Sequence, residues 1–232
     1  MAPIEPPSSR FRFPPSPDWG DDDLVGTGAD LAPGTILAAY RRGLFPMPLD
    51  DGTLGWWSPV DRAVLPFSDL KISRSLSRSC RRFTVSVDAD ATGVIEGCAD
   101  PGRPHGWISP EMKDAYLSLH RMGWVHSFEV WNSDGELVGG LYGLGIGGLF
   151  CGESMFHRVS DASKVALVHL VSLLSERGGV MLDVQWLTPH LRSLGAEVIG
   201  RDAYLARLPA ALEARDPFEG LDDERSVSEG GT

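Results

Sequence analysis

The stretch L-F-C-G-E-S-M-F, Leu149 to Phe156, and the later M-L-D-V-Q, Met181 to Gln185, each set one carboxylate in an apolar, strand-like segment. Glu153 and Asp183 are surrounded by Phe, Leu, Val or Met, and Gln185 follows Asp183 at a spacing that puts both on the same strand face. An unpaired carboxylate in an apolar interior is so costly that it must be paired, hydrogen-bonded or held neutral. Two such groups in neighbouring strands therefore read as a candidate catalytic centre. The plainer alternative is a satisfied structural pair at the end of a sheet.

Working outward, Val125 to Trp131, Leu137 to Leu144 and Leu149 to Glu153 read as three strands joined by N-S-D-G and G-I-G-G turns. Ser109-Pro110-Glu111 opens a helix reaching about Met122, and Ser160 or Asp161 caps another that ends at Gly178 and Gly179. Val180 to Gln185 is the next strand. A short helix at Pro189 to Leu194, a strand at Glu197 to Ile199 and a helix from Asp202 to Leu212 follow. Upstream, a helix is predicted from Pro33 to Arg42, stopped by Gly43. The run F-P-M-P-L-D-D-G-T-L-G-W-W-S-P after it, dense in turn formers, reads as a lip or hinge. The expected class is α+β: a small N-terminal domain over residues 1–60 with an irregular leader, a mixed sheet flanked by helices over 61–212, and an acidic, disordered tail over 213–232.

The chain is long enough to bury a full core, and a hydrophobic content of 42% places it among ordinary globular proteins. Its start carries no apolar run, and Val165 to Leu174 is too short to span a bilayer. A cytoplasmic protein is expected. Cys80, Cys98 and Cys151 show no C-x-x-C spacing, which argues against a disulfide framework or a zinc site. Reduced thiols and no metal are expected. A net charge of −11 argues against nucleic acid, but residues 41–82 hold eight basic residues against four acidic ones. A local basic patch on an acidic protein, or simply a solvated helix face, follows from that run.

Several motifs decline on inspection. Gly143, Gly145 and Gly148 satisfy G-x-G-x-x-G, yet strand continues after them where a phosphate site needs a helix N-terminus, so a hairpin turn is expected. Ser154 lacks the second glycine of a nucleophile elbow, and Cys151 has no cationic neighbour in sequence to lower its pKa. His126 and His157 read as satisfied residues sooner than as bases. Trp107 is either a core anchor or a platform on which a base stacks.

Further motifs are more specific. Y-R-R-G-L-F-P at 40–46, W-W-S-P at 56–59, I-S-R-S-L at 72–76, V-I-E-G-C-A at 94–99 and H-S-F-E-V-W at 126–131 stand beside L-V-G-G-L-Y-G, A-S-K-V-A-L, L-D-V-Q and S-L-G-A-E. In that order the chain resembles the leucyl/phenylalanyl-tRNA–protein transferase family from about Leu31 to Leu212. The resemblance implies a C-terminal domain like the acyl-CoA N-acyltransferases (GNAT-like). It also implies a monomeric cytoplasmic enzyme of the N-end rule pathway, without cofactor, metal or membrane partner. Such an enzyme moves Leu, Phe or sometimes Met from aminoacyl-tRNA (leucyl, phenylalanyl or methionyl) onto the α-amine of proteins beginning with Arg or Lys.

By position, Glu153, Asp183 and Gln185 match the family's catalytic residues, and Trp107 an aromatic near the 3′ adenosine. Where many members read F-P-W, this chain has Met47, so adenosine stacking there is expected to be weaker or to be supplied by a neighbour such as Trp57, Trp56 or Trp107. Met155, Phe156 and Leu149, or their neighbours, are expected to line an apolar aminoacyl pocket. Arg41, Arg42, Arg74, Arg78, Arg81 and Arg82 are expected to meet tRNA phosphates. In the expected mechanism Asp183 contacts the amine, Glu153 tunes it and Gln185 fixes the amine or the tetrahedral oxygen. A CoA-dependent acetyltransferase is disfavoured because F-H-R-V-S-D-A-S-K lacks the glycines of a pyrophosphate loop. A noncatalytic tRNA-binding module is the third reading.

Overall fold

A computed structural model of the chain describes residues 2–102 and 106–221. These residues form two sheets. In the first, β1 (Leu24–Thr27), β2 (Phe45–Pro48) and β3 (Leu54–Trp57) pair antiparallel in the order β1-β3-β2, and α1 (Pro33–Tyr40) packs on β2. Pro33 starts α1, where a missing N–H is harmless, and Gly43 ends it at φ +81°, its N–H closing on the Tyr40 carbonyl.

The turn-rich run predicted as a lip or hinge is thus a β-hairpin. Leu49 N–H bonds the Thr53 carbonyl across a turn whose Gly52 takes φ +83°. Alternation is hidden in the sequence because Pro46 and Pro48 occupy strand β2, which lies at the sheet edge and can dispense with their N–H groups. The leader is not loose either. Ile4 exchanges backbone and Trp124 indole hydrogen bonds with residues 122–124, Pro6 is buried, and Phe13 meets Trp56 edge-on at 4.8 Å.

The second sheet has seven strands among the described residues. After β4 (Asp61–Val64) come α2 (Arg74–Arg82), β5 (Thr84–Val87), α3 (Ala91–Cys98), α4 (Pro110–Arg121), β6 (Val125–Trp131), β7 (Leu137–Ile146) and β8 (Leu149–His157). Then follow α5 (Ala162–Glu176), β9 (Met181–Gln185), α6 (Pro189–Ser193), β10 (Glu197–Gly200) and α7 (Arg201–Glu213). The strand order is β10-β4-β9-β8-β7-β6-β5, antiparallel except for β8 beside β9, which α5 connects. This is the mixed sheet flanked by helices that the sequence predicts.

Alternation along the strands builds two cores. Val125, Leu144, Cys151 and Met181 face α1, α3, α4 and α7, whereas Phe128, Leu141, Phe150 and Leu182 face α2 and α5. Ile36, Leu37 and Tyr40 of the N-terminal unit share the first core with Val94, Tyr116 and Leu144. The N-terminal unit and the main sheet are therefore packed as one body. No described helix is long and apolar enough to cross a membrane.

The tail expected to be disordered from residue 213 is structured as far as Leu221; residues 222–232 lie outside the described residues. Its acidic composition conceals one anchor, Phe218. That ring stacks on His126 with centroids 3.8 Å apart and meets Phe128 and Phe150, while Arg177 donates to the Pro217 and Glu219 carbonyls. Phe218→Ala is expected to destabilise the protein by about 3–4 kcal/mol, as truncation of a buried aromatic does. Urea unfolding of the two proteins checks this, and equal midpoints would show that the tail is not anchored.

Candidate active site

Strands β8 and β9 run side by side only as far as the pair Cys151 and Asp183. There both change course. On β8 the register to β7 slips between Gly152 and Ser154, so Glu153 is the extra residue of a bulge and is re-aimed out of the alternation. This is also why the strand, predicted to end at Glu153, continues to His157: the bulge breaks the period, not the pairing. On β9, Gln185 adopts φ +58°, a left-handed backbone that costs glutamine about 1–3 kcal/mol and is tolerated where surrounding structure holds it. Between the diverging strands opens a cavity of about 320 Å³, lined by Glu153, Gln185, Met155 and Val184 from the two strands. Phe45, Met47, Trp107 and Trp186 add aromatic and sulfur surface, and Leu167, Leu170, Thr188 and His190 complete it.

Asp183 stands behind this cavity. It is fully buried, and its oxygens are taken up: Arg62 donates Nε to Oδ1 at 2.8 Å and Nη2 to Oδ2 at 2.5 Å, Tyr204 donates its hydroxyl to Oδ2 at 2.9 Å, and the Gln185 N–H reaches Oδ1 at 3.0 Å. The remaining Arg62 amino group, Nη1, donates to the Gly43 carbonyl at 3.1 Å, and the guanidinium lies over the rings of Phe45 and Tyr204. Burial alone would push the Arg62 pKa down, but the Asp183 charge overrides it and the net direction is up. The Cys151 thiol, 3.5 Å from Oδ2, is pushed well above its ordinary range by burial and by the same carboxylate. A Cys151 thiolate is thereby excluded at neutral pH.

Glu153 is the carboxylate that faces the cavity. Tyr116 donates to its Oε2 at 2.9 Å, and the Tyr40 hydroxyl lies 3.0 Å from that of Tyr116. Its other oxygen, Oε1, is buried with no hydrogen bond among the described residues, as is Nε2 of Gln185. Burial pushes the Glu153 pKa up to about 7; the Tyr40 and Tyr116 hydroxyls pull it down, Asp183 raises it and Arg62 lowers it. The cavity thus presents an acid poised near neutrality and an amide with free donor capacity, against apolar walls.

The three residues read from the sequence as a centre are therefore brought together, but in two layers. Asp183, expected to contact an amine, is sealed behind the wall, because a fully buried carboxylate needs a charged partner. That partner, Arg62, stood in the basic run as one more positive charge. An arginine inside V-D-R-A-V-L-P is the same signal as an aspartate inside M-L-D-V-Q, and could have been read from it. Tyr40, Tyr116, Tyr204 and Trp186 were also missed.

Of the substrate-binding candidates, Met47, Trp107 and Met155 line the cavity. Trp57 does not; it stands behind Trp186, rings 5.7 Å apart, with its indole bonded to the Met47 carbonyl. Phe156 points the other way, against Gly97 of α3, since consecutive strand residues face opposite sides.

The arginines separate as well. Arg74, Arg78, Arg81 and Arg82 are exposed on α2, packed beside α5, whereas α1, which leads into Arg41 and Arg42, belongs to the core on the other sheet face. Arg41 is held in a two-pronged ion pair with Glu5 and lies over Trp124. The basic run is thus not one patch. Among the described residues no group of three or more His, Cys, Asp or Glu side chains could hold a metal ion.

Residues 64–209 match the family model described as leucyl/phenylalanyl-tRNA protein transferase, and residues 29–60 that of its N-terminal domain. A leucyl/phenylalanyl-tRNA–protein transferase of Aromatoleum aromaticum is 52% identical over 207 residues, 87% of each chain. One from Chromobacterium violaceum is 46% identical, covering 93% of this chain and 91% of the relative. A GCN5-related N-acetyltransferase from Kribbella flavida superposes over 82% of this chain and 66% of its own at a TM-score of 0.33 and 17% identity, too loosely to bear on the argument.

The raised pKa of Glu153 has a consequence for stability. The carboxyl titrates near 4.5 when unfolded and about 7 when folded, so the folded protein holds the extra proton between those values. Its contribution is fully present below about pH 4.5 and lost as pH rises through about 7. Wild type should lose about 2–3 kcal/mol more than Glu153→Gln between pH 4.5 and pH 8. Urea unfolding across that range measures it; parallel pH curves would refute the assignment.

Proposed function

Because the chain belongs to the leucyl/phenylalanyl-tRNA–protein transferase family, a family of aminoacyltransferases, we propose that it transfers Leu, Phe or Met from aminoacyl-tRNA to the α-amine of cytoplasmic proteins beginning with Arg or Lys, marking them for N-end rule degradation. The observation that carries this reading is the cavity between β8 and β9, to which the two strands present Glu153 and Gln185 among apolar side chains.

The physical chemistry fits the task. An aminoacyl ester is already activated, so the protein need only hold an amine against a carbonyl carbon and manage one proton. An α-ammonium titrates near 7.7–8.0 and must lose that proton before its nitrogen attacks. Glu153, titrating at about 7, is matched to pass that proton to solvent, then to take the second proton that the nitrogen sheds as it attacks and return it to the departing ribose oxygen as the amide forms. The unpaired Gln185 Nε2 has the donor capacity to hold the carbonyl oxygen as it becomes tetrahedral. Glu153 thus takes the role that the sequence reading gave Asp183. Met155, Leu167 and Leu170 suit an unbranched or γ-branched apolar side chain, with discrimination of about 1–3 kcal/mol per methylene. Trp107, Met47 and Trp186 supply the stacking surface for the terminal adenosine. The exposed arginines of α2 suit tRNA phosphates, with Arg41 and Arg42 on a separate face.

Offered charged leucyl-tRNA and a peptide beginning with Lys or Arg, the protein is expected to label the peptide, and to leave it unlabelled when given free leucine and uncharged tRNA. No transfer under the first condition rejects the reading. Glu153→Gln should lower kcat by about 10²- to 10⁴-fold, the range of a lost general base. In wild type the rate should rise as pH passes through about 7. Arg78→Ala should reduce the slope of log affinity for tRNA against log salt by about 1, without favouring one tRNA sequence; an unchanged slope removes α2 from the interface.

A further inference from the structure

We propose that Arg62 is a positioning residue of this site: it grips Asp183 and the Gly43 carbonyl at once, and so fixes Gln185 and the cavity's N-terminal wall in one frame. Which reaction the frame serves rests on the function proposed above; the frame itself is argued from geometry.

Gln185 reaches the cavity from a left-handed backbone that glutamine adopts only under constraint. The constraint is its own N–H, bonded to Asp183 Oδ1, and that same oxygen is held by Arg62 Nε. On the other side, Arg62 Nη1 holds the carbonyl of Gly43, just upstream of Phe45, Pro46 and Met47, which line the cavity. Phe45 also covers one face of the guanidinium, and Tyr204 lies against it while donating to Asp183. A planar, three-way donor with two aromatic contacts is a task for arginine and not for lysine.

The pair also acts as a unit on Glu153. The charged and titratable groups packed about that carboxylate are Tyr40 of α1, Tyr116 of α4, Cys151 on its own strand, Asp183 of β9 and Arg62 of β4, with Tyr142 and His190 lining the same cavity. Asp183 and Arg62 push Glu153 in opposite senses. Because the two charges are opposite, removing one leaves the pull of the other on Glu153 uncompensated.

Two measurements test this. The first needs no substrate: the Glu153 carboxyl is followed by carbon-13 NMR against pH. Asp183→Asn leaves the Arg62 charge uncompensated, so the midpoint should fall by about one unit or more, whereas in Arg62→Met/Asp183→Leu it should return to within about half a unit of wild type. The second is transfer kinetics on the same double variant, in which an apolar pair replaces the ionic one so that the fold is kept. Its kcat should fall at least about tenfold while KM for leucyl-tRNA changes less than about threefold, the pattern of lost alignment. Should the double variant not fold, Arg62→Lys, which keeps the charge without the fork, decides by the same criterion. Wild-type kcat in a folded variant, or a loss that only tracks the fraction folded, overturns the proposal. If wild type itself fails to transfer, the functional reading fails. The frame is then judged by Asp183→Asn, whose unchanged Glu153 midpoint would overturn it.

Discussion

A guanidinium–carboxylate pair sealed from water, Arg62 with Asp183, is the contact on which the rest of the structure depends. Neither charge could be buried alone, and removing one partner of such a pair costs about 3–5 kcal/mol. The pair joins β4 to β9, the second and third strands from one edge of the seven-stranded sheet, takes up the carbonyl that ends the first helix, and accommodates the Tyr204 hydroxyl of the last. Residues far apart in the chain thereby converge at one point. The N-terminal unit is fastened there, through Gly43 and Phe45, to the strand that carries Gln185.

The cavity follows from what that point allows. Parallel pairing of β8 and β9 stops at Cys151 and Asp183, and beyond it a bulge at Glu153 and a left-handed residue at Gln185 turn the two strands apart. Both irregularities are unfavourable for an isolated strand, and both are supported from outside it. Tyr116 holds Glu153 from α4, and Asp183 holds the Gln185 backbone. One carboxyl, Glu153, is raised toward neutrality by burial at the opening, while the other, Asp183, is tied to a guanidinium behind it.

Charge is divided with the same economy. The acidic chain sets four exposed arginines, Arg74, Arg78, Arg81 and Arg82, along α2 beside α5, and couples Arg41 on the opposite sheet face to Glu5 of the leader. The leader and the tail, both rich in residues that disfavour regular structure, are nonetheless anchored, in each case with a large ring among the contacts: Phe13 against Trp56, and Phe218 against His126. Composition averages over a segment, and a few such contacts outweigh it.

The sequence by itself determined the mixed sheet, most helix boundaries and the family, and singled out Glu153, Asp183 and Gln185, which the fold brings together, because apolar periodicity, caps and carboxylates in apolar strands are local signals. Bulge and hairpin were illegible for the opposite reason: one extra residue at Glu153 and two prolines in β2 break the local period while the pairing to distant strands persists. Only the tertiary structure decided which carboxylate faces the cavity. That choice depends on where a single guanidinium, distant in sequence, comes to rest, and electrostatic partnership is a property of distance in space, which no spacing along a chain encodes.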